Sequence, residues 1–363
     1  MQERGSVVIQ KNKTYSTAMP LRYAELSLSA QTAYAELAER TRTTELSGAL
    51  AGISGSFHKK TQRKGADYWY FTYREPGVER PRLVYVGPDS AEIRSFVENF
   101  KSAHGSSPLA PQARAAIAHG CTPLAAKHFR IVKRLSEYGL FRAGGILIGT
   151  HAFIAMGNLL GVRWPHGTAT LDVDFAHAGR NVSVALPADL KIDVHGALDS
   201  LKLGLLPISE LDGNLGAQYR SKEDAELRVD FVTSMTRTGE AVRMPDLNIA
   251  LEPLKFMEFS LEGTTQGCVF ANAGACAVNL PSPERFAIHK LIVYGERPIR
   301  ERTKSAKDLL QAAAIVEWCL ENGRKEELKA AWDDAAGRGR GWKQRASEGR
   351  QALLRQAPEL DFA

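Results

Sequence analysis

The sequence predicts an α+β protein, with helices at both ends around a basic β-hairpin and a core of mixed strands and helices. Three changes of pattern predict it. Apolar residues three and four apart in Leu28-Ser-Ala-Gln-Thr-Ala-Tyr34-Ala-Glu-Leu37-Ala mark a helix. From Gly55 the period drops to two, the spacing of a strand, and helical spacing returns from Glu284 onward.

Taken in order, residues 1–54 form a helical segment and 55–88 a hairpin module. Within the hairpin, Tyr68-Trp69-Tyr70-Phe71-Thr72-Tyr73-Arg74 is one strand and Arg82-Leu83-Val84-Tyr85-Val86-Gly87 its partner. Glu-Pro-Gly77-Val is the turn between them. Residues 89–138 read as a helical connector, with helices over Ser90–His104 and Leu124–Tyr138 and a Gly105-Ser-Ser-Pro break between them. The mixed core spans 139–283, and 284–363 is a helical C-terminal domain containing a helix over Ser305–Leu320. No internal repeat is present.

A chain of 363 residues with 44% apolar and 24% charged residues belongs with globular proteins rather than disordered ones. It has no apolar run long enough to cross a membrane, and no signal-peptide core follows the basic start. Cys121, Cys268, Cys276 and Cys319 lack metal-ligand spacing and read as reduced thiols, so a cytoplasmic location is expected. The net charge of +6 favours an anionic partner weakly.

The most informative residues are Asp172 and Asp174, in Thr-Leu-Asp172-Val-Asp174-Phe-Ala. Leu171, Val173 and Phe175 alternate with them, so a strand points both aspartates the same way, roughly 6.5–7 Å apart. Two such carboxylates can share a pair of divalent cations, as in-line phosphoryl transfer requires. Upstream, Gly144-Gly145-Ile-Leu-Ile-Gly149-Thr150 is an apolar run and turn that opens a helix, whose free N–H groups suit a phosphate.

A third carboxylate on a neighbouring strand completes such a site. Asp230, in Leu227-Arg-Val229-Asp230-Phe231, is the better candidate, and Asp193, in Lys191-Ile-Asp193-Val, is its rival. A lone Asp-x-Asp is more often the wet face of an ordinary strand, and the Gly149-Thr150 turn and the Asp230 strand are what raise its significance. The 23 positions from Gly149 to Asp172 require a long loop through Gly161-Val-Arg163-Trp164-Pro-His166-Gly, which either touches substrate or merely connects helix and strand.

The hairpin carries Lys59, Lys60, Arg63, Lys64 and Arg74 against Asp67 alone, interleaved with Tyr68, Trp69, Tyr70 and Tyr73. Cations would bind phosphates and rings could stack on bases, but strand alternation turns some of the rings inward to cross-strand packing. The basic face therefore points to nucleic acid more than the rings do. A second basic cluster (Arg338, Arg340, Lys343, Arg345, Arg350) reads as a solvated, partly frayed end rather than an RNA clamp. His104, His119, His195 and His289 lack partners at metal spacing and read as ordinary surface or packed residues.

These blocks resemble the DNA polymerase β-like nucleotidyltransferase superfamily, and within it a bacterial nucleotidyltransferase-like family related to abortive-infection nucleotidyltransferase toxins. The likeness extends from the glycine turn and Ala169-Thr170-Leu-Asp172-Val-Asp174-Phe through Val229-Asp230-Phe231 to Pro283-Glu-Arg-Phe286-Ala-Ile-His289-Lys290-Leu and Lys304-Ser-Ala-Lys307-Asp308-Leu-Leu-Gln311. It implies a polymerase β-like mixed-sheet core that transfers a nucleoside monophosphate from an NTP to an acceptor hydroxyl, releasing pyrophosphate. Asp172 and Asp174 would hold two Mg²⁺ ions, and Asp230 the catalytic one. Gly149 and Thr150 would cradle the triphosphate, Lys290 would neutralise phosphate charge, and Asp308 would orient Lys290 or contact the acceptor. The blander alternatives are a surface lysine for Lys290 and an i,i+4 ion pair with Lys304 for Asp308. The basic hairpin favours RNA, including the 3′ end of tRNA, as the acceptor, with a protein hydroxyl or a small molecule as alternatives, and the kinship implies a toxin-like role with an antitoxin or regulatory protein as partner. An inactive transferase fold that only binds nucleic acid is the competing expectation.

Overall fold

The computed structural model describes residues 22–51, 55–61, 67–73, 81–94, 97, 109–178, 192–208 and 217–363. The chain starts with a short strand, β1 (Ala24–Glu25), and a long helix, α1 (Leu28–Ala51). Strands β2 (Gly55–Thr61), β3 (Asp67–Tyr73) and β4 (Arg82–Pro88) follow, then helices α2 (Ala110–Ala118) and α3 (Ala126–Glu137). Next come β5 (Gly145–Leu147), α4 (Gly149–Leu159), β6 (Val162–Arg163), β7 (Asp172–His177) and α5 (Val194–Ser200). Strands β8 (Leu205–Pro207), β9 (Gln218–Ser221), β10 (Arg228–Ser234), β11 (Val242–Met244) and β12 (Ile249–Leu254) complete the central sheet. Helix α6 (Met257–Leu261) leads to the hairpin β13 (Thr264–Ala271) and β14 (Gly274–Pro281). Helices α7 (Pro283–Glu296), α8 (Arg302–Glu321), α9 (Lys325–Gly337) and α10 (Arg340–Gln356) follow.

The central sheet is mixed, in the order β11-β12-β10-β7-β5. β10 runs parallel to β7 along one edge, while its other edge pairs antiparallel with β9 at the start and parallel with β12 at the end. β5 is antiparallel to β7. Alternation decides which face is dry: Val173, Phe175, Val229 and Phe231 are at most 1% exposed, and Phe175 stacks on Phe231 at 5.5 Å between centroids. Their polar neighbours are thereby forced onto the other face. Leu171 departs from the expected pattern, because it precedes the strand and is 46% exposed.

Helix α4 is buried from Thr150 to Asn158, as expected for a helix apolar on all sides. Helix α7 is started by Ser282, whose hydroxyl accepts from Arg285 N, with Pro283 in the first turn where a missing N–H costs nothing. It packs closely on α10: a Cβ at Gly349 would lie 2.1 Å from Leu291 O, and one at Gly295 would lie 2.5 Å from Arg345 O.

Two expectations change at this level. The hairpin gains a third strand, giving a sheet of order β2-β3-β4. The C-terminal basic cluster is no frayed end, because α10 holds all of it but Arg338, and three of its four arginines are ion-paired. Arg338 bonds Asp334 (3.0 Å) and Glu262 and lies over Phe259 (5.2 Å), Arg345 bonds Glu296 (2.9 Å), and Arg350 bonds Asp361. A helical turn at 91–94 begins the helix expected from Ser90, whereas the Gly77 turn, His104 and the Gly105 break lie outside the described residues. The four cysteines are free and buried, and among the described residues no helix is long and apolar enough to cross a membrane.

Candidate active site

The parallel register of β7 and β10 brings the aspartates together. Asp230 is the direct partner of Asp174, and Arg228 the partner of Asp172, so all four side chains project from one face across adjacent strands. Asp193, the rival third carboxylate, stands elsewhere. It caps α5, accepting from Gly196 N (2.7 Å) and Asn248 Nδ2 (2.8 Å).

Three acids this close perturb one another. Burial, then the charges of Asp230 and Asp172, push Asp174 up to about 7. Burial and Asp172 likewise raise Asp230, although Arg228 and Arg220 pull against them. The deficit of positive charge on this face is what a divalent cation would fill. Among the described residues no three His, Cys, Asp or Glu side chains form a ready-made metal cage. Mg²⁺ does not need one, since it keeps waters and is held by one or two carboxylates together with substrate phosphates. The donor set therefore fits Mg²⁺.

Helix α4 begins beside these acids. Ile148 N donates to Asp174 O (3.0 Å), and Ile148 as N-cap offers the helix no side-chain acceptor. The first N–H groups are thus left for a ligand. Gly149 has φ +64 and lies directly under the Asp174 carboxylate. Thr150 is 3% exposed, and its Oγ1 accepts from Gln311 Nε2 (3.4 Å), which also donates to Gly167 O (2.7 Å).

The long loop between α4 and β7 is pinned along its length. β6 pairs with β1, Trp164 stacks on Phe153 (4.6 Å) and donates to its carbonyl (2.6 Å), and Lys307 Nζ donates to Ala169 O (3.3 Å). Helix α8 supplies both Gln311 and Lys307.

Lys290 and Asp308 meet, as expected, but inside a larger network. Asp308, 1% exposed, receives Lys290 at 2.7 Å on Oδ1 and Arg297 at 2.7 Å on Oδ2, and Arg297 continues to Glu301 at 2.9 Å. Burial alone would raise the Asp308 pKa, but the two cations prevail and hold it low. Lys304 is not its partner.

Of the basic hairpin residues, Lys59 is ion-paired with Asp67 (2.7 Å) and Asp89 (3.2 Å). Lys60 lies over the Tyr70 ring (5.4 Å). Arg63, Lys64 and Arg74 lie outside the described residues. Phe57 packs on Phe71 (4.7 Å), while Tyr68 and Tyr70 pack against Tyr85 (6.0 and 5.6 Å).

Sequence reasoning assigned no role to Lys307, Gln311 or Arg297, nor to the buried pair His128 and His151. The two histidines join α3 to α4 at 3.0 Å between Nδ1 and Nε2. Burial, then the neighbouring His128, pulls His151 down to about 3, and burial lowers His128, so both are neutral. A usable signal did exist on α8: Lys304, Lys307, Asp308 and Gln311 recur at the spacing of one helix face.

Comparison with curated proteins and with solved structures found no match. A family model described as nucleotidyltransferase matches residues 126–337, well over half of the chain. That stretch runs from α3 to the end of α9 and holds the three aspartates, the Gly149 turn and the Lys290–Asp308 pair. The chain belongs to the nucleotidyltransferase family and is a transferase enzyme.

Proposed function

We propose that this enzyme is a Mg²⁺-dependent transferase with a polymerase β-like core, moving a nucleoside monophosphate from an NTP to an acceptor hydroxyl. The observation that carries the reading is the register of Asp172, Asp174 and Asp230 beside the uncapped start of α4. Anion-binding N–H groups and cation-binding carboxylates face the same space, the pairing that a metal-chelated triphosphate demands.

The acceptor oxygen forms a bond to the α-phosphorus, the bond from that phosphorus to the bridging oxygen breaks, and pyrophosphate leaves. Asp172 and Asp174 would hold two Mg²⁺ ions, with Asp230 sharing one of them. Bound there, Mg²⁺ neutralises charge and polarises the phosphoryl oxygens. The acceptor hydroxyl's proton passes to a carboxylate oxygen of Asp230, whose pKa burial and Asp172 raise, which strengthens it as a base. The N–H groups of Gly149 and Thr150 bind phosphate oxygens. Because Gln311 donates to Thr150 Oγ1, the threonine proton is free to be given to the substrate. Catalysis is then chiefly positioning and charge neutralisation.

RNA is the acceptor best supported by the small sheet. Lys60 shares a face with His58, Tyr68, Tyr70 and the 54% exposed Tyr85, so a cation stands beside rings open to stacking. Lys59 supports it less, being held by two carboxylates.

The test is label transfer from each α-³²P-NTP with Mg²⁺ and total cellular RNA, comparing wild type with Asp172→Ala/Asp174→Ala. Labelled RNA from wild type alone supports the reading. Label on protein would move the acceptor to a protein hydroxyl. RNA binding that survives EDTA, with no label anywhere, would replace it with a binding protein on an inactive fold.

A further inference from the structure

We propose that Lys307, rather than Lys290, is the cation that meets the triphosphate, and that Lys290 is a strut joining α7 to α8 beneath it. The inference rests on the nucleotide reading above and deepens it.

The ammonium of Lys290 is already spent. It stands 2.7 Å from Asp308 Oδ1, its side chain is 12% exposed, and it lies over the Phe286 ring at 5.3 Å. The second oxygen of Asp308 holds Arg297, which also holds Glu301. Two cations and two carboxylates sum to zero in this network. Turning Lys290 toward a phosphate would break a charge-assisted bond and leave a buried carboxylate short of a partner.

Lys307 precedes Asp308 on the same helix and differs in each respect. Among the described residues it makes no ion pair, and its one hydrogen bond is to the main-chain oxygen of Ala169, three residues before Asp172. One turn further along α8, Gln311 is pinned to Thr150 and Gly167. Lys307 and Gln311 thus lie at i and i+4 on one stripe, over the loop that joins the two halves of the site. Burial, and then the charge of Lys290, lower the Lys307 pKa, while Asp308, Asp174 and Asp172 oppose this; Asp174 feels both lysines, so what separates them is that Lys290 is ion-paired and Lys307 is not. The charge of Lys304, one turn earlier and exposed, reaches Asp230 and draws its pKa down.

The charge balance then makes sense. Without metal, Lys307 offsets part of the excess negative charge. Once divalent cations are held, it is surplus positive charge that only an incoming anion can match. A lysine bound by a single carbonyl can release it for a phosphate at little cost. Lys290 cannot release Asp308 so cheaply.

The test is calorimetric titration of inorganic triphosphate with Mg²⁺, and the KM for NTP in label transfer, on wild type, Lys307→Met, Lys307→Arg and Lys290→Met, each with its melting temperature. Lys307→Met is expected to weaken triphosphate binding roughly tenfold or more and to raise KM at unchanged melting temperature. Lys307→Arg should restore most of the affinity, and Lys290→Met should lower the melting temperature. Wild-type affinity in Lys307→Met overturns the assignment, as does lost affinity in Lys290→Met with its melting temperature intact. Absence of binding by the wild type to triphosphate and to every NTP overturns the nucleotide reading, and this inference with it.

Discussion

Gly149 and the Asp174 carboxylate occupy adjoining space: a Cβ at Gly149 would stand 2.3 Å from Asp174 Oδ2. The turn that opens α4 and the acid on β7 are therefore set by the same contact. Gly149 also has φ +64, which costs an L side chain roughly 1–2 kcal/mol.

Gly149→Ala should thus damage both halves of the site at once. The expected outcome is a loss of at least about 1 kcal/mol in stability and a fall in turnover on the order of 10²-fold, the effect of misplacing a catalytic group by about an ångström. Denaturant melts and label transfer on the same preparation would check it. Wild-type turnover in that variant would show that the contact does not matter to the chemistry.

The pKa of Asp174 makes a prediction about pH. In the unfolded chain it titrates at 3.8, and in the folded protein at about 7. Between those values the folded state binds more protons than the unfolded one, so metal-free stability falls as pH rises from about 4 through 7. Mg²⁺ must displace the remaining proton, so its apparent affinity should rise up to about pH 7 and level off above it. Melting temperatures at pH 5 and pH 8, with EDTA and with Mg²⁺, would test both arms. In EDTA, Asp174→Asn should remove the decline.

How much of this was legible follows from the range of each interaction. Alternation around Val173 and Phe175, and around Val229 and Phe231, is a local signal, so both strands and the direction of their aspartates could be read. That Asp230 sits beside Asp174, and that Asp193 caps a helix, depends on strand order and register. For Asp308, local reasoning offered Lys304 at i,i+4. Burial of Asp308 instead demanded two cations, and tertiary packing supplied Lys290 and Arg297. The same reasoning mistook the C-terminal arginines for a solvated end, since their partners Glu262, Glu296 and Asp361 come from three different segments.

Asp308→Ala should be among the most damaging single changes to stability. It strands Lys290 and Arg297 without the carboxylate that faces them, a loss of roughly 3–5 kcal/mol for a buried pair. Because Asp308 is held below its ordinary pKa, its contribution is present at neutral pH and is lost as pH falls through the folded value. The wild type and the variant should therefore converge in stability at acid pH. A constant difference from pH 3 to pH 8 would mean that packing rather than charge holds the network.

Gly349 tests whether α7 is held rigidly enough to place that network. Its α-carbon meets the backbone of Leu291, the residue after Lys290, and a Cβ there would lie 2.1 Å from Leu291 O. Backbone cannot step aside as a flexible side chain can, so Gly349→Ala must push α10 off α7. The expected loss is about 1–3 kcal/mol, as for other overpacked sites. A shift of α7 would be passed to α8 through the Lys290–Asp308 pair, so turnover should fall together with the melting temperature. Gly337→Ala is the control. It is the last residue of α9, where a Cβ meets nothing within 4 Å, so it should leave both melting temperature and turnover near wild type. Helix propensity favours alanine over glycine, so a loss in Gly349→Ala that Gly337→Ala does not share comes from the contact between α7 and α10, and no loss in Gly349→Ala would mean that the contact costs nothing to open.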